Sequence, residues 1–238
     1  MMKAIKMNVF LETANFRMPI SFQQKESYPL PPFSTVIGMV HVACGFTSYH
    51  PMNISVTGNS FSTVHDIATR YEFHPSVQYD KARHQLSVYS PEKEKIIGIT
   101  RGVSTAHLLT DLHLQLHIIP EDQSEIFFIE EQLRSPKQFL SLGRHEDIMH
   151  IEKVQVVDIQ QETLSREVEL SMASYIPTSY KIGRTLFRMS KNYEIVEIKK
   201  KFYRKFVKHE VFYVGKSTVI PQNTHVWVDS DRDILFPV

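Results

Sequence analysis

The sequence predicts an α+β fold with more strands than helices, and three observations support this class. Apolar residues alternate with other residues along residues 5–11, which is the pattern of a strand with one buried face. The same alternation recurs along residues 108–118. Segments 34–44 and 124–133 have the length and apolar content of helices.

The first helix is expected after a long polar connection that ends in a proline-rich turn, Tyr28-Pro29-Leu30-Pro31-Pro32. Prolines stop a helix or a central strand at that point. Ser34 or Thr35 then offers an N-cap, and Gly45 can close the helix at its C-terminal end. The residues between them are apolar nearly all round, so we expect this helix to be buried.

The remaining elements are mostly strands. The second helix has acidic residues in its early turns and stops before Pro136, as the helix dipole and proline geometry favour. Strands are expected at 53–58, 60–73, 84–89, 96–103, 108–118 and 150–159, and strands also fill 183–236. This order fits a ferredoxin-like or RRM-like unit with a β-rich C-terminal part. The polar stretch 160–173 suggests a domain of residues 1–160 and a C-terminal subdomain of residues 161–238 packed on it.

The composition excludes several classes of protein. Hydrophobic residues make up 42% and charged residues 22% of the 238 residues, which is ordinary for a globular chain. No apolar stretch reaches the ~18–20 residues that span a bilayer, and the first residues lack the apolar core of a signal peptide. Cys44 is the single cysteine, so no intrachain disulfide can form. We therefore expect a cytoplasmic protein that does not contact a membrane.

The charges are segregated along the chain, although 27 Lys and Arg against 26 Asp and Glu leave a net charge of +1. Residues 121–170 hold 5 basic and 12 acidic residues, whereas residues 181–216 hold 11 basic and 3 acidic residues. The basic block interleaves cations with aromatic rings in Lys200-Lys201-Phe202-Tyr203-Arg204-Lys205-Phe206, as suits single-stranded nucleic acid. From charge alone, a solvated basic strand pair fits equally well, and the interleaving also suits an edge strand with a buried aromatic face, so these alternatives stay open.

The common catalytic and metal-binding motifs are absent from the sequence. It contains no Walker loop, no G-x-S-x-G, no H-E-x-x-H and no paired C-x-x-C. Asp229, Asp231 and Asp233 are spaced as in part of a calcium loop but lack its glycine and closing glutamate. We therefore expect a turn between two strands there, and neither a metal ion nor another cofactor.

Two motifs point to phosphate recognition. Pro31-Pro32-Phe33-Ser34-Thr35-Val36-Ile37-Gly38 delivers a helix N-terminus, whose backbone N–H groups can hold a phosphate. Leu142-Gly143-Arg144-His145-Glu146-Asp147 combines a glycine that permits close backbone approach with an arginine that can grip a phosphate through two hydrogen bonds. A plain helix start and a turn with an exposed arginine remain the alternatives.

These motifs resemble a known family. The segment 28–39 and the preceding Phe16-Arg17 are similar to the P-x-P-P-S-T-V-x-G-L helix start of the fifth CRISPR-associated (Cas) protein family. Residues 139–159 are similar to its L-G-R-S-E region, with His145 where the family often has serine. The aspartate-rich turn before Ile234 is also similar. The resemblance spans most of the chain, and within the family it looks most like the type I-B branch.

The resemblance implies an RRM-like domain of the RAMP superfamily inside Cascade, the CRISPR RNA-guided surveillance complex of antiviral defence. Such a subunit caps one end of the complex and binds the 5′ handle of the CRISPR RNA. It contacts the large subunit and the first backbone subunit, and it meets target DNA only indirectly. A β-hairpin thumb inserted in the domain kinks the RNA, and residues 74–98 fit that thumb here.

The resemblance also implies RNA-binding positions. The helix start and the Gly143-Arg144 turn match RNA-binding positions of the family. The cations of the thumb are expected to contact RNA as well. Arg17, Lys25 and Arg101 are added because of their charge and placement. The expected RNA-binding residues are Arg17, Lys25, Tyr28, Ser34, Thr35, Lys81, Arg83, Arg101, Gly143, Arg144 and His145.

Catalysis is the main alternative. In the type I-C branch, the family member cuts precursor RNA with a Tyr, Lys and His arrangement that supplies a base for the 2′-hydroxyl and an acid for the leaving oxygen. The only Lys-His pair here is Lys208-His209, late in the chain, and Tyr28 could supply the tyrosine. We therefore expect a non-catalytic scaffold. The alternatives are a metal-independent endoribonuclease that processes precursor CRISPR RNA and a general single-strand binder.

Overall fold

The computed structural model describes residues 2–21, 23–183 and 185–238. The helices are α1 (Phe33–Cys44) and α2 (Ile126–Arg134). The strands are β1 (Met2–Ala14), β2 (Met52–Asn59), β3 (Ser62–Gln78), β4 (Leu86–Ser90), β5 (Lys95–Pro120), β6 (His150–Thr163), β7 (Val168–Glu169), β8 (Ala173–Pro177), β9 (Thr185–Ile198), β10 (Lys201–Val214), β11 (Val219–Ile220), β12 (His225–Asp229) and β13 (Ile234–Leu235). The α+β class and the excess of strands that the sequence predicts are confirmed.

Eleven strands form one large antiparallel sheet in the described part of the chain. Nine of them follow the order β13-β12-β6-β1-β5-β2-β8-β10-β9, and β3 and β4 pair with β5 off this path. Helix α1 connects β1 to β2, and α2 connects β5 to β6, so the four strands in the middle of the sheet carry both helices. The C-terminal strands extend the same sheet at both of its ends, while β7 and β11 form a separate pair.

The main core lies between the middle of the sheet and the two helices. Ile5 and Leu11 of β1 are fully buried, as are the alternate residues between them. They share one hydrophobic cluster with Val36 and Val40 of α1 and Ile129 of α2. The alternation that the sequence shows in β1 therefore reflects a strand whose one face is covered by helices.

Helix α1 begins at Phe33, so the prediction that Ser34 or Thr35 is its N-cap is wrong. Pro32 is the N-cap, with φ −60° and ψ 149°, and no side chain caps the helix. The Pro32 carbonyl accepts a hydrogen bond from the Thr35 amide at 2.9 Å. Because the ring of Pro32 fixes its φ, the helix begins directly after this proline and before the predicted N-cap residues Ser34 and Thr35. Gly45 ends the helix in the left-handed conformation with φ 67°, as predicted.

Helix α2 lies within two residues of its predicted position. A short 3₁₀ turn, Gln123–Glu125, precedes it, and the Asp122 carboxylate caps that turn by accepting a hydrogen bond from the Ser124 amide at 2.9 Å. Ile129 and Leu133 face the core. In the described residues, no helix is both long and apolar enough to cross a membrane.

Strand β5 runs without interruption for 26 residues, whereas the sequence predicts two strands, 96–103 and 108–118. The residues between them, such as Ser104 and His107, break the apolar alternation. They remain in the strand because each pairs with a residue of β3. Pairing with β3, rather than the local sequence pattern, therefore keeps these residues in strand conformation.

Residues 62–106 form a long antiparallel extension that we call the arm. Strand β3 pairs with β5 over most of the arm, and β4 flanks the other side of β5 near the tip. Large apolar side chains of the arm are exposed, among them Ile67 (74%), Phe73 (64%) and Val103 (75%). Much of the arm therefore presents apolar surface to solvent.

Strands β9 and β10 form a hairpin at the opposite end of the sheet from β13. Lys199 and Lys200 make its turn, and both have positive φ, 52° and 61°. Positive φ at both central residues is typical of the two-residue turns that close β-hairpins. The prediction that strands fill the C-terminal part is confirmed for the described residues, and Arg184 of the basic block lies outside them.

Candidate nucleic-acid interface

Three segments, of which the last is far from the other two in the sequence, meet in a groove of about 250 Å³ beside the start of α1. The connection after β1, the first turn of α1, and the loop between α2 and β6 each line one part of it. We call it the Arg17 groove. Its lining residues are Asn15, Phe16, Arg17, Lys25, Pro32, Thr35, Gly143 and Arg144.

The carboxylate of Asp147 organises the loop that carries Gly143 and Arg144. Its side chain is fully buried, and its Oδ2 accepts hydrogen bonds from the backbone amides of Arg144 at 2.8 Å and Asn15 at 3.0 Å. Its Oδ1 accepts a hydrogen bond from Nη2 of Arg144 at 2.6 Å. One buried carboxylate therefore holds the 140s loop against the end of β1 and fixes the position of Arg144.

Gly143 has a conformation and a position that suit only glycine. Its φ is +117°, in a region that residues with a side chain rarely adopt. A Cβ at this position would lie 2.8 Å from Oδ2 of Asp147 and 3.1 Å from the carbonyl oxygen of Asn15. The glycine therefore permits the close approach of two segments that forms one side of the groove.

Asn15 joins the groove to the base of the arm. Its side-chain amide donates hydrogen bonds to the carbonyls of Lys25 at 2.8 Å and His107 at 2.6 Å. Asn15 is buried, so these bonds replace water that its amide has lost. The bond from Asn15 to the Lys25 carbonyl therefore holds the Lys25 backbone, which has a positive φ of 46°, at the rim of the groove.

The lining of the Arg17 groove is positively charged. The described lining residues include Arg17, Lys25 and Arg144, and none of them is Asp or Glu. Hydrogen bonds to Asp147 raise the pKa of the Arg144 guanidinium above its ordinary value, despite partial burial. Nη1 of Arg144 also lies 3.0 Å from a carboxylate oxygen of Glu146. Arg144 is therefore a positioned and largely compensated charge, to which Arg17 and Lys25 add two further positive charges.

The structure brings five of the predicted RNA-binding residues into the Arg17 groove: Arg17, Lys25, Thr35, Gly143 and Arg144. Ser34 lines a second groove, between α1 and the β9–β10 hairpin. Lys81 and Arg83 lie in the turn between β3 and β4 near the tip of the arm, and Arg101 lies in the arm on β5. The predicted residues therefore fall on more than one surface.

Tyr28 and His145 are near the Arg17 groove in sequence but do not line it. Tyr28 packs edge to face against Phe187 of β9 with ring centroids 5.5 Å apart, and burial raises the pKa of its hydroxyl. The side chain of His145 is 98% exposed, and its Nδ1 lies 2.8 Å from a carboxylate oxygen of Glu146. The Tyr28 ring therefore packs against β9, and the His145 side chain is exposed to solvent outside the groove.

Lys208 and His209, which the catalytic alternative uses, are consecutive residues of β10. Their side chains point to opposite faces because successive residues of a strand alternate. Lys208 is exposed and His209 is partly buried, which agrees with that alternation. Burial, with a further contribution from nearby Lys191, lowers the pKa of His209, which favours the neutral ring.

The aspartate-rich turn lies between β12 and β13, as predicted. Its three carboxylates surround Nζ of Lys6, which is 2.9 Å from Asp229, 2.9 Å from Asp231 and 2.5 Å from Asp233. Nε2 of His117 lies 3.1 Å from the Asp229 carboxylate. Lys6 and Asp229 are almost fully buried, so this cluster joins β1 to the C-terminal strands.

Sequence reasoning missed Asp147 and Asn15 as organising residues. Asp147 ends the Leu142–Asp147 motif, and an acid three residues after an arginine in a tight turn is a usable signal for a local ion pair. No such signal marks Asn15, because its partners Lys25 and His107 meet it only in the folded chain.

Comparison with solved structures finds chains of similar fold. A chain from a CRISPR RNA-guided surveillance complex has a TM-score of 0.57 and 16% identity, and the match covers 91% of this chain and 91% of that chain. A crystal structure of a CRISPR protein from Archaeoglobus fulgidus has a TM-score of 0.49 and 13% identity over 100% of both chains. The chain has no significant match among curated protein sequences.

A family model identifies the family. The model described as CRISPR-associated protein (Cas_Cas5) matches residues 4–197, which is most of the chain and includes every residue that lines the Arg17 groove. The resemblance of segments 28–39 and 139–159 is thus confirmed at the level of the family, while the type I-B branch stays a prediction. The chain belongs to the Cas5 family of CRISPR-associated proteins.

Proposed function

We propose that this chain is a non-catalytic subunit of a type I Cascade complex and binds the 5′ handle of the CRISPR RNA in the Arg17 groove. The observation that carries the proposal is that five predicted residues from three segments line one groove, and none of the described lining residues is acidic. Membership of the Cas5 family supports the role in Cascade. Binding of the 5′ handle, membership of a particular type I branch and the roles of the individual groove residues are parts of the proposal.

The chemistry of the groove suits a phosphate backbone. Arg17 and Lys25 attract phosphates by charge, and the Thr35 hydroxyl can donate a hydrogen bond at the first turn of α1. The N-terminal end of a helix carries a partial positive charge, which favours an anion at the same place. Arg144 contributes mainly by holding the shape of the loop, because Asp147 and Glu146 already occupy its guanidinium.

We also propose that the arm is the thumb of a ferredoxin-like RAMP domain. The sequence of elements β1-α1-β2, then β5-α2-β6, with the strand order β6-β1-β5-β2, supports a ferredoxin-like unit in residues 1–160. The arm is inserted between β2 and the inner half of β5, and it carries Lys81, Arg83 and Arg101. It is longer than the predicted 74–98, and residues 161–238 add strands to the same sheet.

The proposed partners follow from the same role. They are the CRISPR RNA, the first backbone subunit and the large subunit of Cascade, with target DNA reached through the complex. The acidic segment 121–170 and the exposed apolar side chains of the arm offer surfaces for such protein contacts. We propose that the complex acts in the cytoplasm in antiviral defence or RNA-guided DNA targeting.

Co-purification tests this proposal. The chain is expressed with its neighbouring CRISPR genes, another subunit carries the affinity tag, and the RNA that comes with the complex is sequenced. We expect this chain in the complex together with a short RNA that has a constant 5′ end. Recovery of the complex with its RNA but without this chain would contradict the proposal.

A further inference from the structure

A second groove, of about 560 Å³, lies between α1 and the β9–β10 hairpin. The helix and the loop that follows it form one wall, with Thr35 and Tyr49. The hairpin forms the other wall, with Lys191, Tyr193, Arg204 and Phe206. We call it the Arg204 groove. Thr35 lines both this groove and the Arg17 groove, so the two grooves adjoin at the first turn of α1.

The Arg204 groove is basic and holds a cation whose charge is poorly compensated. The described lining residues include Lys191 and Arg204 and no Asp or Glu. Nζ of Lys191 donates a hydrogen bond to Oδ1 of Asn53 at 2.6 Å, and that amide is neutral. Burial lowers the pKa of Lys191, and the charge of Glu121 offsets this only in part. A phosphate in the groove would supply the missing negative charge.

The hairpin wall offers aromatic rings to a ligand. Tyr193 and Phe206 are paired across the hairpin, with ring centroids 5.9 Å apart, and both are partly exposed. The Arg204 guanidinium lies 4.7 Å from the centre of the Tyr193 ring, on the same face of the hairpin. On the helix wall, the Tyr49 ring stacks on His41 with centroids 5.8 Å apart. Rings and guanidinium planes of this kind are the surfaces on which single-stranded bases stack.

We propose that the Arg204 groove binds a nucleotide of single-stranded RNA, with its base on the Tyr193 and Phe206 wall and its phosphate at Lys191 and Arg204. This inference rests on the proposed function, because the strand would be the one held in the adjoining Arg17 groove. The alternative occupant is a segment of a protein partner. Two cations, the lack of Asp and Glu among the described lining residues and the shared border with the Arg17 groove at Thr35 favour RNA.

Photo-crosslinking tests the inference. The assembled complex is prepared with guide RNA that contains 4-thiouridine, irradiated with long-wavelength ultraviolet light, digested, and mapped by mass spectrometry. We expect crosslinks on peptides that contain residues 191–193 or 204–206, in addition to crosslinks around the Arg17 groove.

Two substitutions in neighbouring residues give a matched comparison. Arg204→Gln removes one positive charge from the groove, and Lys205→Gln removes one from the opposite face of β10, because Lys205 pairs with Glu194 on that face. We expect Arg204→Gln to lower the yield of the hairpin crosslinks by about fivefold or more, because it removes a charge-assisted contact to the phosphate. Lys205→Gln is expected to leave that yield unchanged. Thermal unfolding of both variants checks that the hairpin is intact.

The remaining outcomes separate the inference from the proposed function. Crosslinks confined to the Arg17 groove would overturn the inference and leave the proposed function standing. No RNA crosslink anywhere on this chain would contradict both. Loss of a protein subunit from the complex with Arg204→Gln, without RNA crosslinks on the hairpin, would assign the groove to a protein partner and also overturn the inference.

Discussion

The buried carboxylate of Asp147 accepts hydrogen bonds from both the backbone amide and the guanidinium of Arg144, three residues before it. The same carboxylate accepts a hydrogen bond from the amide of Asn15 at the end of β1. The proposed RNA site is thus built around an internal ion pair. Its shape depends on Asp147, and its attraction for RNA depends on the cations that line the groove.

Asp147→Asn is expected to destabilise the protein. The substitution keeps the size of the side chain but removes the charge that compensates Arg144, and it turns one acceptor oxygen into a donor facing backbone amides. We expect a loss of about 1–3 kcal/mol in the free energy of unfolding, measured by urea denaturation. Glu146→Gln is the control, because Glu146 is more exposed and its pair with Arg144 should contribute ~0–1 kcal/mol. Equal effects of the two substitutions would contradict this role of Asp147.

Gly143→Ala is expected to destabilise the protein by about 1–3 kcal/mol. The added Cβ meets Asp147 and the Asn15 backbone, and the residue has a φ of +117°. Gly38→Ala in α1 is expected to have the opposite sign, with a gain of about 0.5–1 kcal/mol, because nothing lies within 4 Å of its Cβ position. Thermal or urea unfolding of the two variants checks both signs, and stabilisation by Gly143→Ala would show that the loop is not constrained.

The fold was predictable where local pattern and burial coincide. The alternation in β1, the apolar α1 and Gly45 at its end are local signals, and each has its predicted structure. The continuity of β5 was not predictable, because Ser104 and His107 are held in the strand by pairing with β3. The Arg17 groove was predictable in part: its cations carry a charge signal and the spacing of Arg144 and Asp147 is a local one, whereas the bond between Asn15 and Asp147 forms only when distant segments meet.

The cluster of Lys6 and Asp229 predicts a specific pH dependence of stability. Burial alone would raise the pKa of Asp229, but hydrogen bonds from His117 and Lys6 outweigh it and hold the pKa below its ordinary value. Stability from this group is therefore present above the unfolded pKa of about 3.9 and is lost as the pH falls below it. Asp229→Asn is expected to unfold at lower urea concentration than the wild type at pH 7, with a smaller difference near pH 3.

The control for this pH dependence is Asp158→Asn, which removes an exposed carboxylate paired with Lys3. It is expected to change stability by less than about 1 kcal/mol at either pH. An Asp229→Asn variant whose deficit is the same at pH 7 and pH 3 would contradict the account of this cluster.

The purified protein is expected not to cleave repeat RNA in the presence of a metal chelator. His209 and Lys208 lie on opposite faces of β10, and the Tyr28 hydroxyl belongs to a packed ring whose pKa burial raises. Lys208 and His209 therefore do not present a base and an acid together at one phosphodiester. Gel analysis of 5′-labelled repeat RNA checks this. Cleavage at a single boundary that is lost in His209→Ala would establish the endoribonuclease alternative instead.

The most direct test of the central claim is the salt dependence of RNA binding by an Arg17→Ala/Lys25→Ala variant. Binding of the guide RNA recovered from the complex is followed by fluorescence anisotropy at several salt concentrations. Lys137→Ala/Lys216→Ala, which removes two exposed cations outside the groove, is the control. If both groove cations contact phosphates, the groove variant binds more weakly, and its log–log salt slope is shallower by about 1.4, roughly 0.7 for each lost contact. Equal affinity and equal slope for the groove variant and the control would contradict the claim that the Arg17 groove binds RNA.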